Sequence, residues 1–167
     1  QLKHILIKTF KDKIMSNFYT VKDQTLRNIN AKQYVSGQIT IDMMKDISDL
    51  GITLIINNRP DYEEEGQASS EDLMKKAESL GIKFINIPFA ANTLDKEKII
   101  NFSNLIKNNE QKALYFCRSG ARSSTIWGIA SVLYLDKDIN EVMNKINNIG
   151  YDSSVLPNMV EHFKTLE

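Results

Sequence analysis

The residues best able to do chemistry lie in one segment, Tyr115-Phe116-Cys117-Arg118-Ser119-Gly120-Ala121-Arg122-Ser123-Ser124. Cys117 is the only cysteine in 167 residues, it ends a continuous apolar run, and an arginine stands just ahead of helix-compatible sequence. In a tight turn between a strand and a helix the backbone N–H groups converge on one concavity. The helix N-terminus adds partial positive charge, so the stretch Arg118, Ser119, Gly120, Ala121, Arg122 and Ser123 can cradle an anion. Arg122 supplies a planar fork for two oxygens of a tetrahedral anion. The same field favours thiolate over thiol, which makes Cys117 a candidate nucleophile seated against its own anion site. Gly120 suits a turn position with unusual φ and ψ, and the Ser123 or Ser124 hydroxyl can donate to the thiolate or cap the helix. Arginine usage sharpens the reading: the chain has 17 lysines and four arginines, and Arg118 and Arg122 are two of the four. The competing reading is an inert buried cysteine at the end of a core strand.

Composition sets the frame around this segment. Basic and acidic residues balance at 21 each, so no extended positive field favours nucleic acid or an anionic membrane, and anion binding must be local. Apolar residues at 42% and charged residues at 25% describe one globular domain. A lone cysteine excludes an internal disulfide and is the usage expected of a cytoplasmic, reducing compartment. Residues 1–19 read as an N-terminal extension and 20–167 as the domain. Leu2, Ile5, Leu6, Phe10 and Ile14 recur near helical spacing among lysines, a basic amphipathic stretch too short to span a bilayer. His4 and His162 have no ligand pattern around them, so neither metal nor cofactor is expected, and His162, in a terminal helix, is poorly suited to be the base of a cysteine protease. Trp127, one turn into the helix after the cysteine loop, reads as core packing.

The elements that must position the loop follow from periodicity. Strands are expected over Tyr34–Ile39, Ile52–Asn57, Lys83–Ile87 and Ala113–Phe116, the last buried on both faces as central parallel strands are. Thr40 can cap a helix with Met43, Met44, Ile47 and Leu50 on one face, ended by Gly51. Ser69 or Ser70 can cap a second with Leu73, Met74, Ala77 and Leu80 inward, ended by Gly81. Further helices are expected over about Leu94–Lys107, Ser123–Leu135, Asn140–Ile149 and Asn158–Leu166. The βαβα alternation predicts a single α/β domain, with a central, mainly parallel sheet flanked by helices and the cysteine loop between strand and helix. Asn58–Ala68 reads as a loop whose Glu63-Glu64-Glu65 run is a solvated face.

Several ordered motifs resemble a known family. These are Val35-Ser36-Gly37-Gln38, Ile55-Ile56-Asn57-Asn58-Arg59-Pro60-Asp61, Glu65-Gly66-Gln67-Ala68-Ser69-Ser70, Ile87-Pro88 and the Cys117 to Ser124 loop with Trp127. Together, over about Val35 to Tyr151, they resemble the bacterial beta-lactamase-hydrolase-like protein phosphatase-like domain. That family is similar in fold to the dual-specificity branch of cysteine phosphatases. The resemblance implies phosphate-ester hydrolysis through a phosphocysteine on Cys117, with a small phosphate ester or a phosphoprotein as substrate.

Two departures keep other readings open. Protein tyrosine phosphatases place five residues between cysteine and arginine, whereas four separate Cys117 from Arg122, a loop length also similar to that of single-domain rhodaneses. A sulfurtransferase drawing on a sulfane-sulfur donor and carrying a Cys117 persulfide is therefore the alternative, and a non-catalytic oxyanion-binding module is a third. The aspartate acid of dual-specificity phosphatases would fall at Ala91. Asp95 is a candidate acid that is equally a helix cap, and Asp61 is a second candidate at a strand's carboxyl end. Arg59 can contact a substrate anion or pair with Asp61 or the glutamate run.

Overall fold

Ile52–Asn57 and Lys112–Phe116, two largely apolar runs, pair side by side in parallel inside a six-stranded sheet. The computed structural model describes residues 18–22, 24–108 and 110–166. Its strands are β1 (Phe18–Val21), β2 (Gln24–Asn30), β3 (Gln33–Ser36), β4 (Ile52–Asn57), β5 (Lys83–Asn86) and β6 (Lys112–Phe116), in the spatial order β1-β2-β3-β6-β4-β5. The β3–β6, β6–β4 and β4–β5 ladders are parallel, and β1 and β2 add an antiparallel hairpin edge. Parallel pairing brings the carboxyl ends of β3, β6 and β4 to one edge, the place where open α/β sheets bind ligands.

Strand alternation divides the apolar side chains between two cores. Ala113 and Tyr115 of β6 join Val35, Leu54 and Ile56 on one face, covered by helices α3 (Lys96–Lys107), α4 (Ala121–Tyr134), α5 (Ile139–Asn148) and α6 (Leu156–Thr165). Leu114 and Phe116 join Tyr34 and Ile55 on the other, covered by a 3₁₀ turn (Ile41–Met43), α1 (Met44–Asp49) and α2 (Ser70–Ser79). Full burial of each such aliphatic or aromatic side chain contributes ~1.5–3 kcal/mol, so β6 cannot shift register without emptying both cores. The fold is the expected single α/β domain with a mainly parallel centre.

Local departures have local causes. The β1–β2 hairpin is an addition to the sequence reading. Thr40 does not cap an N–H; its hydroxyl bonds the Asp42 carboxylate, and the chain enters α1 through the 3₁₀ turn. The strand expected to run to Ile39 ends at Ser36, because Gly37 lies against the cysteine loop: a Cβ there would sit 2.9 Å from the Arg118 carbonyl oxygen. Ser69 caps α2 by accepting from Asp72 N–H. The basic amphipathic stretch of the amino terminus lies outside the described residues. No helix among the described residues is long and apolar enough to cross a membrane.

Candidate active site

Cys117 follows directly on β6, and hydrogen bonds from both neighbouring strands fix its backbone. Its N–H donates to the Ser36 carbonyl at 3.4 Å, Asn58 N–H donates to the Phe116 carbonyl at 2.8 Å, and Gln38 N–H donates to the Arg118 carbonyl at 3.1 Å. The thiol is buried, and its Sγ accepts the Gly120 N–H at 3.1 Å. Gly120 has φ of 101°, a left-handed conformation that favours glycine, and it is the N-cap of α4. The helix therefore begins at Ala121, earlier than the expected Ser123, and its amino end faces the sulfur's own loop. Ser119 Oγ takes the Ala121 N–H at 3.3 Å.

Neither serine hydroxyl after Arg122 reaches the thiolate. Ser123 Oγ donates to Asn58 Oδ1 at 2.8 Å, and Ser124 Oγ donates to the Ala121 carbonyl at 2.9 Å. Asn58 Nδ2 in turn donates to the Ile87 carbonyl at 3.0 Å, so this buried amide ties the loop after β4, the end of β5 and the first turn of α4 together. The neighbouring Asn57 braces the same loop, donating to the Arg59 carbonyl and accepting from Arg59 N–H. A buried polar floor thus lies beneath the cysteine loop, fully hydrogen-bonded as burial requires.

The glutamate run is exposed as the sequence reading expects, but Glu63 adds contacts that the reading lacks. Glu63 is exposed on the acidic loop, but its side chain, 27% exposed, lies against that of Arg122, 20% exposed. Arg122 Nη1 and Nη2 each donate to Glu63 at 2.8 Å, and Nη1 also donates to the Phe89 carbonyl at 3.1 Å. Arg59, 3% exposed, donates from Nε to the same carboxylate at 2.9 Å. Arg122 first and then Arg59 hold the Glu63 carboxyl at about 2. Glu63 and the Cys117 sulfur raise Arg122 above its ordinary value against the cost of burial, Glu63 being the larger cause. Guanidinium, carboxylate and sulfur are therefore electrostatic neighbours.

The other sequence candidates distribute as follows. Arg59 pairs with Glu63 and Glu64 and donates to Gln38 Oε1 at 3.0 Å, the pairing that the sequence offered beside anion contact. Arg118 extends outward, 66% exposed, with its guanidinium 4.0 Å from Glu64. Asp95 makes the cap: it accepts from Lys98 N–H at 2.8 Å and pairs with Lys98 Nζ at 2.7 Å. Asp61 accepts from Ser70 N–H and Ser70 Oγ at 2.9 and 2.8 Å, fastening the acidic loop to the start of α2. Ala91 is exposed in the segment after β5. Trp127 packs in the core with its Nε1 on Gln33 Oε1, and His162 stacks edge-on against Phe163 in α6. A cleft of about 460 Å³ lined in part by Asn30, Gln33, Trp127 and Lys145 shares no residue with the cysteine loop.

Sequence reasoning missed Gln38, Asn57, Asn58, Glu63 and Tyr151, whose hydroxyl donates to the Ser119 carbonyl, as neighbours of the cysteine loop. A faint signal existed for the asparagines: an apolar strand that ends in two consecutive amides at its carboxyl edge has to satisfy them inside the protein.

Comparison with known proteins bears on the family and the fold. The chain is 27% identical over 106 residues to the Beta-lactamase hydrolase-like protein of Xylella fastidiosa, a match covering 64% of this chain and 25% of that protein. It therefore spans about a quarter of the length of the curated relatives it matches. Among solved structures, a candidate phosphatase from Neisseria meningitidis is 28% identical with a TM-score of 0.70, covering 81% of this chain and 95% of that one. TpbA of P. aeruginosa, solved as a cysteine-to-serine variant in complex with phosphotyrosine, shares the fold at 10% identity and a TM-score of 0.58, over 84% of this chain and 83% of its own. Residues 25–133 match the family model of the Beta-lactamase hydrolase-like protein, phosphatase-like domain, and the chain belongs to that family.

Proposed function

We propose that this domain is a cysteine-dependent hydrolase of phosphate monoesters, with Cys117 as nucleophile and Arg122 as the anion fork. The observation that carries the proposal is the Gly120 N–H on Cys117 Sγ at 3.1 Å, together with the way Glu63 uses only some of the donors of Arg122. A guanidinium has five N–H groups. Glu63 and the Phe89 carbonyl engage three of them, both on Nη1 and one on Nη2. The remaining two, on Nε and Nη2, form a second fork along one edge. Glu63 on this reading orients Arg122 and leaves that edge for two phosphoryl oxygens.

The steps balance without a redox partner. The Cys117 thiolate attacks phosphorus, the S–P bond forms as the bond to the leaving oxygen breaks, and the leaving group departs as an anion or takes a proton from solvent. Water then attacks phosphorus, the S–P bond breaks, and phosphate and the thiolate are released. Arg122 and the Gly120 N–H stabilise the charge on the transferring group. Glu63 beside Arg122 and Asp95 beside Lys98 are held below the usual carboxylate range, which suits an anion better than a proton donor, and Asp61 is tied to Ser70 at the start of α2. This favours esters with acidic leaving groups, phosphotyrosine-like aryl phosphates over alkyl phosphates.

The same observation favours a second reading, sulfur transfer, which needs no acid. The thiolate would take the sulfane sulfur of a thiosulfate-type donor, releasing sulfite and leaving a Cys117 persulfide, and cyanide would remove that sulfur as thiocyanate. Parallel assays on an aryl phosphate and on thiosulfate with cyanide separate the readings. Turnover of the ester, abolished in Cys117→Ser, supports the phosphatase; thiosulfate turnover with every ester at background transfers the assignment to the sulfurtransferase. Oxyanion binding with no turnover in either assay identifies a binding module.

A further inference from the structure

We propose that Tyr151 is a positioning residue that sets the Ser119–Gly120 peptide plane, and so decides whether the Gly120 N–H faces the Cys117 sulfur. Tyr151 follows α5, far from the cysteine loop in sequence, yet its hydroxyl donates to the Ser119 carbonyl at 3.0 Å. The carbonyl of Ser119 and the N–H of Gly120 belong to one peptide unit, and in a trans peptide they point in opposite directions. Holding the carbonyl outward aims the N–H inward, where it meets Sγ at 3.1 Å. The opposite orientation would take the Gly120 N–H off the sulfur, leaving Arg122 beside it, and turn a carbonyl oxygen toward the anion.

A restraint is needed because Gly120 is the softest point of the loop. With φ of 101° and no side chain, its flanking peptides rotate more freely than any others in the turn. The space is also committed: a Cβ on Gly120 would lie 2.0 Å from the Tyr151 hydroxyl, so glycine and tyrosine fit as a pair. Tyr151 is itself held from behind. The Arg27 guanidinium lies 5.6 Å from its ring centroid, and Arg27 Nη1 donates to the Ile149 carbonyl at 2.9 Å, anchoring the strap in which Tyr151 sits to β2. Burial raises the Tyr151 phenol, Arg27 opposes this, and the charge of the nearby Cys117 sulfur adds to the rise, so the hydroxyl remains a proton donor at neutral pH.

The inference rests on the reading of the cysteine loop as a nucleophile and anion site, and its test is chosen to fail separately. Tyr151→Phe keeps the ring and its packing and removes only the hydroxyl. Because Cys117 is the sole cysteine, thiolate absorbance near 240 nm can be followed against pH, with Cys117→Ser as the blank. We expect the midpoint of thiolate formation to move up by about half to one pH unit in Tyr151→Phe, the equivalent of a roughly three- to tenfold loss, with the melting temperature nearly unchanged. Inhibition by inorganic phosphate should weaken by a similar factor. An unchanged midpoint overturns the proposal, whatever the effect on stability. If the wild-type protein neither hydrolyses esters nor transfers sulfur, the functional reading falls while the titration still decides the role of Tyr151.

Discussion

Two loops leave neighbouring parallel strands at the same edge of the sheet, and they are held by different means. The one after β6 is short, passes at once into the long helix α4, and is pinned through its backbone by Ser36, Gln38 and Tyr151. The one after β4, residues 58–69, is longer and relies on side chains: Arg59 on Glu63 and Glu64, Gln67 on the Pro60 carbonyl and the Glu63 N–H, Asp61 on Ser70. Cys117 thus sits where register and core packing forbid drift. Its electrostatic surroundings depend on contacts that respond to salt and acid. If the proposed chemistry at Cys117 holds, changes in the first loop should act on catalysis itself, and changes in the second should act by degree.

Replacing Arg122 by lysine is the most damaging test on the catalytic side. A lysine cannot serve Glu63 along one edge and an oxyanion along the other, so kcat/KM should fall by ~10²–10³-fold, with the fold retained by circular dichroism. Retention of most wild-type turnover would reduce Arg122 to a tether for the acidic loop. The next largest effect belongs to the amide that joins the two loops. Asn58→Ala strips the partner from the buried Ser123 hydroxyl and from the Ile87 carbonyl, and should cost about 2–5 kcal/mol in denaturant unfolding. A loss well under 1 kcal/mol would show that the loops are held independently.

Glu63→Gln is the gentlest of the three and the most discriminating. If Glu63 orients Arg122, kcat/KM drops roughly tenfold; if the carboxylate were a plug in the anion site, the variant would bind phosphate more tightly. The variant also has a pH signature. Because folding lowers the Glu63 carboxyl from 4.5 to about 2, its stabilisation is fully present above pH 4.5 and is lost as pH falls through about 2. Acid unfolding curves of the wild type and Glu63→Gln should therefore converge across that window.

The contrast between the loops also explains what could be read in advance. Cysteine, glycine and arginine after an apolar strand report the first loop directly, since each residue type has one evident use there. The parallel strands β4, β5 and β6 were legible for the same reason. The glutamate run is a solvated face as read, but nothing in Glu63-Glu64-Glu65 tells which carboxylate meets the arginines; that depends on where β4 delivers Arg59 and where α4 delivers Arg122. Tyr151 was invisible as a neighbour of the cysteine loop because only the packing of α5 returns the chain to Ser119. The β1–β2 hairpin was missed for a backbone reason. A register shift between Asn28 and Asn30 puts buried Leu26 and Ile29 three residues apart, which breaks the alternation that marks a strand.

The strand order carries a kinetic consequence. β6 is inserted between β3 and β4, so Val35 lies beside Tyr115 although 80 positions separate them along the chain. Contacts of such long range form only after the entropy of closing a large loop has been overcome, which makes them slow. The neighbours of Cys117 come from β3, the loop after β4 and the start of α4, and no short stretch of chain can prefigure them. During refolding the sulfur should acquire its native reactivity only in the last, global phase, long after the surrounding helices have formed.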